Sequence, residues 1–214
     1  MRRLTRSFRL FLLLPGLLIL PGVCLPAPAA PANGEGRLGQ VTQQLAGYLG
    51  DGAGSLVAIG GGELLLSQEL VDIYRGRDHQ PLWQGEAGLR VAAYALVERL
   101  RSAAEHGLCG EDYQLEPIEA LLVQRAAAAR RQAKLPPRDA ALLDLLLTQA
   151  FLDYGTHLVE GRVDPALAHV DWRARRRKID LVRLLPPAVE EGSLGRLLAE
   201  LAPPHAGYRD LVQT

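Results

Sequence analysis

The sequence predicts an all-α fold, an irregular multi-helix bundle around a buried central helix at about 139–160. Three observations carry this. Leu and Ala dominate, while aromatics make up only 5% of 214 residues; strands collect the β-branched and aromatic residues that are scarce here. Apolar residues recur at three- and four-residue spacings in several windows. One window, Asp139 to Glu160, is apolar almost all round, the pattern of a helix buried on every side.

The chain opens with Arg2, Arg3, Arg6 and Arg9 and no acid. An apolar run from Leu10 to Val23 follows, and Ala27-Pro28-Ala29 offers a small-x-small cleavage site. These are the three parts of a secretory signal peptide, and the run falls short of the roughly 20 residues that span a bilayer as a helix. Residues 1–29 are expected to direct the chain to the periplasm, with membrane contact only through this leader if it stays uncleaved. Its removal takes four arginines and no acid from a chain with 24 basic and 24 acidic residues. The remainder is net negative, which argues against a nucleic-acid partner. Cys109 is then the one cysteine left, so no internal disulfide is expected.

Residues 30–62 are rich in Gly, Ala and Pro, with seven glycines between Gly47 and Gly62. They read as a flexible segment leading into a domain at 63–214. The Gly50 to Gly54 stretch matches neither the dinucleotide fingerprint nor the P-loop. Ser67 is a candidate N-cap for a helix to about Arg75, with Leu70, Ile73 and Tyr74 on its apolar side. A turn around Pro81 leads to a second helix at about 87–106. Its stripe is Leu89, Ala93, Leu96, Leu100 and Ala103, and Gly107 closes it as a left-handed cap. A third helix, about 117–134, ends in an Ala/Arg-rich stretch expected to project into solvent.

Pro136-Pro137 precedes the central helix and Gly161, a second candidate left-handed cap, follows it. Leu143, Leu147, Ala150, Phe151, Tyr154 and Leu158 form its main stripe. Trp83, Phe151 and Tyr154 are the expected packing anchors, each worth roughly 3–5 kcal/mol against Ala in a core. Asp164-Pro165 marks a turn. Two short helices follow at about 179–185 and 193–201, the second ended by Pro203-Pro204. No repeat of 30 to 50 residues is present, against a solenoid.

The search for chemistry is mostly negative. The five histidines show no His-x-x-x-His or His-Glu-x-x-His spacing, and no Cys-x-x-Cys exists, so neither a metal nor a cofactor is expected. His106 and Cys109 are three apart, but a thiolate nucleophile needs an orienting base and oxyanion donors, and a small residue at a helix end is the simpler reading. Glu111-Asp112 and Glu190-Glu191 lie in polar segments where nothing would raise a carboxyl pKa. The run Arg173, Arg175, Arg176, Arg177 and Lys178 beside Trp172 reads as a solvated loop.

Several segments in order resemble one family. Gly62 to Leu66, Ile73-Tyr74-Arg75-Gly76-Arg77 and Gln80-Pro81-Leu82-Trp83 together look like the opening "fYaaRgyqPlW" motif of the scaffold domain of large bacterial L,D-transpeptidases. Ala103 to Tyr113 resembles its Ala-Gly-Leu-Asp-Pro-x-x-Tyr turn. Asp144 to Tyr154, followed by Gly161-Arg162-Val163-Asp164-Pro165, is the most specific piece, and Leu198 to Tyr208-Arg209 resembles the end of the domain. The resemblance implies a helical scaffold that accompanies a peptidoglycan-binding module and a catalytic domain. In those enzymes a cysteine in a Ser/Thr-His-Gly-Cys motif forms 3→3 cross-links between diaminopimelate residues. No such motif occurs here, and Cys109 stands where relatives usually carry Asp. The expected function is therefore a non-catalytic scaffold in peptidoglycan remodelling, truncated at Thr214 before the other two domains. Its partners would be peptidoglycan or those missing domains. The alternative is a free-standing periplasmic helical module that binds a cell-wall protein or stem peptide. Arg162 is the candidate contact to a neighbouring domain or ligand, because an Arg in a turn suits bidentate carboxylate binding.

Overall fold

The computed structural model describes residues 35–60, 62–162 and 177–205, which all fall in one compact unit, Pro31–Thr214. The leader, the Asp164-Pro165 turn, Arg173 to Arg176 and the Tyr208-Arg209 end lie outside the described residues. The α-helices, in chain order, are α1 (Glu35–Leu49), α2 (Gln68–Arg75), α3 (Val91–Arg101), α4 (Leu115–Arg130), α5 (Pro137–Glu160), α6 (Leu181–Glu190) and α7 (Leu194–Leu201). Two small antiparallel sheets accompany them: β1 (Leu56–Ile59) with β2 (Gly62–Leu65), and β3 (Gln84–Gly85) with β4 (Gly88–Leu89). The fold is mostly α, and its organising element is α5.

Helix α5 has 24 residues, about 36 Å at 1.5 Å per residue. Pro137 opens it, where a missing N–H leaves no helical bond unmade. All residues from Ala140 to Leu152 are buried, and each of the other six α-helices packs against it. Gly155 permits a close approach. A Cβ there would lie 3.1 Å from Leu181 and 3.4 Å from Leu201, so the small residue lets α6 and α7 settle on the end of α5.

Four boundaries differ from the sequence reading. The first correction concerns residues 30–62, read as a flexible lead-in. They contain α1, whose Val41, Leu45 and Leu49 are buried against α5, and β1, whose Val57 and Ile59 are buried. The glycines shape the turn between them: Gly52 and Gly54 have φ of 79° and 86°, a region open to glycine at little steric cost.

The second concerns the helix expected at 87–106. Gly85 and Gly88 instead make the tight β3–β4 hairpin, with Gly88 at φ 110°. Gly88 weakens a helix here. Helix α3 therefore starts only at Val91, and Leu89 becomes a half-buried strand residue. A separate 3-10 turn, Ala103–His106, follows α3, and Gly107 closes that turn in the left-handed region (φ 69°, ψ 21°).

The third concerns the helix expected to end at about 185: it runs on through Pro186-Pro187, and α6 ends at Glu190. Leu181, Leu185, Ala188 and Val189 remain buried on one side. The carbonyls that lose a helical donor belong to half-exposed Val182 and exposed Arg183, where solvent can satisfy them. The fourth concerns Gly161, which is not a left-handed cap. Its φ of 78° pairs with ψ of 157°, an extended positive-φ conformation confined to glycine, and its N–H donates to His157 O at 3.0 Å.

Candidate functional site

The densest polar arrangement in the described residues is a buried hub on α5. Asp144 and Thr148 are one helical turn apart, so they share a face, and both have no solvent exposure. The chain from α2 to β3 wraps over that face. Ser67 fixes where α2 begins: its hydroxyl accepts from Leu70 N–H at 3.2 Å, and its own N–H donates to Gln149 on α5. This phase puts Tyr74 at the inner side. Tyr74 Oη donates to Asp144 Oδ1 at 2.7 Å and lies 2.9 Å from Thr148 Oγ1.

Pro81 then turns the chain so that Leu82 N–H donates to Asp144 Oδ1 at 2.7 Å and Trp83 N–H to Oδ2 at 3.2 Å. The Trp83 indole N–H donates to Thr148 Oγ1 at 2.9 Å. Gln84 Nε2 donates to Asp144 Oδ2 at 3.2 Å and to the Ala140 carbonyl at 2.7 Å. Burial pushes the Asp144 carboxyl above its ordinary value, while the donors from Tyr74, Leu82, Gln84 and Trp83 pull it back down. Burial beside Asp144 raises Tyr74 well above the usual phenol range. With Asp144 and Thr148 closed to solvent and matched by donors, the hub is a lock between the 74–84 segment and α5.

A second cluster lies towards the C-terminal end of α5. Tyr113, in the 3-10 turn Gly110–Tyr113, meets Tyr154 edge-on at 5.3 Å between ring centroids. Its hydroxyl lies 2.9 Å from His157 Nδ1. Burial, with Asp112 next to it, pushes Tyr113 up to about 12. Arg162 closes this end with two contacts to Asp112, at 2.8 and 3.2 Å.

An arginine-lined groove runs beside the hub. Its wider part, about 560 Å³, includes Arg77, Arg90 and Glu190. Arg77 pairs with Glu190 at 3.0 Å, tying the turn after α2 to α6, and Arg90 Nε donates to the Leu82 carbonyl at 3.1 Å. Beyond Gln84, Gly85 and Glu86, which line both parts, a narrower pocket of about 150 Å³ reaches Arg37 and Arg125.

The six residues singled out from the sequence do not form one site. Trp83 is in the hub, and Phe151 is fully buried in the core. Tyr154 stands against Tyr113 and, through that cluster, near the Arg162–Asp112 pair. Gly107 and Gly161 are turn residues. Arg162, the candidate for contact with a domain or ligand, is already held by Asp112. Cys109 is exposed at the start of the Gly110–Tyr113 turn. Sequence reasoning did not single out Tyr74, Gln84, Asp144 or Thr148. The available signal was an Asp and a Thr four apart inside an otherwise apolar helix.

Residues 68–214 match the family model described as Scaffold domain. The chain belongs to the Scaffold domain family. The match begins at the first residue of α2 and takes in every hub residue, with α1 and the β1–β2 hairpin preceding it. No curated protein and no solved structure matches the chain. Among the described residues of the Scaffold domain no group of three or more His, Cys, Asp or Glu side chains is placed to hold a metal. No described helix is long and apolar enough to cross a membrane.

Proposed function

We propose that this Scaffold domain is the non-catalytic helical support of an L,D-transpeptidase at work on peptidoglycan in the periplasm. One observation carries the reading. Tyr74, Leu82 and Trp83 come from the opening motif that resembles those enzymes, and Asp144 and Thr148 from the most specific later segment. The fold brings these separated pieces onto one another in the hub. Residues whose partners are each other are what a motif for architecture requires; a catalytic motif would direct polar groups at an open cleft.

The test is removal of the chain from its cell, with 3→3 cross-links counted by mass spectrometry of the muropeptides. The expected result is an altered cross-link fraction, restored by the wild-type chain and by Cys109→Ser. An unchanged fraction would overturn the cell-wall assignment. Failure of Cys109→Ser alone to restore it would overturn the non-catalytic one.

A further inference from the structure

The narrow end of the groove has a chemistry that the scaffold reading does not use. Arg37 on α1 and Arg125 on α4 both line the pocket of about 150 Å³, as does Lys134. Among the described residues neither arginine has a carboxylate partner. Arg37 donates to the Leu135 carbonyl, and Arg125 Nη1 donates to the Tyr94 hydroxyl at 2.7 Å. Both partners are neutral, so they orient the guanidiniums without discharging them. Glu86, on the exposed hairpin tip, is the one acid in the lining. The remaining wall is largely aliphatic, with Leu89 and Leu135 among its residues.

From this we infer that the pocket binds a carboxylate carried on a small apolar body, the carboxylate seated between Arg37 and Arg125. Planar guanidiniums present paired donors that match a carboxylate fork. The cavity is in the size range that holds a benzene-sized body, so it takes the acidic end of a ligand and leaves any remainder in the wider groove. Glu86 favours a monoanion over a dianionic phosphate, and the aliphatic wall favours a carbon-bearing ligand over a bare oxyanion. Partial burial and the facing Arg125 lower the pKa of Arg37, so the two cations already disfavour each other, and an anion between them relieves that. Gly88 leaves room for the Arg125 guanidinium in the lining: a Cβ there would lie 3.2 Å from Nη2. The inference is independent of any cell-wall role.

The test uses the full chain at low ionic strength, where charge is least screened. N-acetylalanine, its methylamide and inorganic phosphate are titrated separately by calorimetry and amide NMR. Saturable binding of N-acetylalanine is expected, with shifts at Leu89 and Leu135 and no binding of the methylamide. Arg125→Gln, on a half-exposed helix position, weakens it by about tenfold or more, and Arg125→Lys recovers only part, since the fork is lost. Equal binding of the methylamide, no loss in Arg125→Gln, or no binding in the millimolar range would each overturn the proposal. Phosphate binding as tight as N-acetylalanine would overturn the choice of a carbon-bearing carboxylate.

Discussion

Asp144→Ala tests the hub directly. The substitution removes the carboxylate while the other hub side chains remain. Tyr74 keeps Thr148 and the main-chain carbonyl of residue 144, and Gln84 keeps the Ala140 carbonyl. Leu82 N–H and Trp83 N–H have no other acceptor among the hub bonds. Two buried amides left unpaired cost about 1–3 kcal/mol each, about 2–6 kcal/mol together. Relief of a buried carboxylate's desolvation acts in the opposite direction, which places the expected net loss at about 2–4 kcal/mol. In a domain of this size that lowers Tm by about 4–16 °C, measured by circular dichroism. Asp153→Ala serves as the control, since among the described residues that half-buried carboxylate accepts one hydrogen bond, from the Gln149 side chain, and no backbone N–H. A loss for Asp144→Ala no larger than the control's would refute the lock. The pH dependence gives an independent check. Burial raises the folded Asp144 above its ordinary 3.8, so the native state holds this proton more tightly than the unfolded chain does. Its contribution is fully present below pH 3.8 and is lost as pH rises through the folded value. Asp144→Asn removes that part of the slope, and a wild-type slope retained in Asp144→Asn would assign it to other groups.

Three further outcomes follow from the same geometry. Gly110→Ala places a Cβ 2.9 Å from both the Leu100 carbonyl and Leu115 Cδ2; overpacking of this kind lowers stability by about 1–3 kcal/mol in urea unfolding, and an unchanged midpoint would mean that the turn gives way freely. Tyr113, raised to about 12, should ionise in an ultraviolet titration well above the ordinary value of 10. Since the folded state retains that proton, its contribution to stability is lost between pH 10 and 12, and a Tyr113→Phe variant lacks this loss. Arg162 and Asp112 are partly exposed, 52% and 31%, so a double-mutant cycle should give a coupling of at most about 1 kcal/mol. A much larger coupling would mean that the pair holds the Tyr113 turn in place.

Legibility tracked how far a residue's role is set by its near neighbours in sequence. Helix α5 was readable because an apolar run of that length, opened by prolines and followed by glycine, has no other soluble solution. The start of α2 was readable because Ser67 caps a helix whose next turn supplies the donor. Helix α1 was missed for a physical reason. Averaging over 30–62 lets Gly, Ala and Pro dominate, yet Leu38, Val41, Leu45 and Leu49 recur at helical spacing, and the last three find burial on α5, which the local composition does not reveal. The β3–β4 hairpin was hidden because Leu89 fits a helical stripe, and only the positive φ of Gly88 decides otherwise. The hub was half visible: Tyr74, Trp83, Asp144 and Thr148 all stood in the quoted motifs. That Asp144 pairs with backbone 62 residues earlier is a tertiary fact that no local pattern encodes.

The hub and the groove share one residue, and this joins structure to the proposed chemistry. Gln84 holds the Asp144 carboxylate and the Ala140 carbonyl with its amide while it lines both parts of the groove. The residues after it, Gly85 to Leu89, form the hairpin that walls the narrow pocket beside Arg125. In the two residues after Pro81, Leu82 and Trp83, the backbone is pinned to α5, so the hairpin starts from a fixed point. Arg90 Nε and N–H return to the Leu82 and Trp83 carbonyls and fix its other end. A short two-stranded hairpin is not stable by itself in water; here its shape is imposed at both ends by bonds that originate in the hub. The same buried Asp that holds the motif together therefore sets the wall against which the guanidiniums face. A motif devoted to architecture and a pocket suited to an anion are consistent in one molecule because the first positions the second.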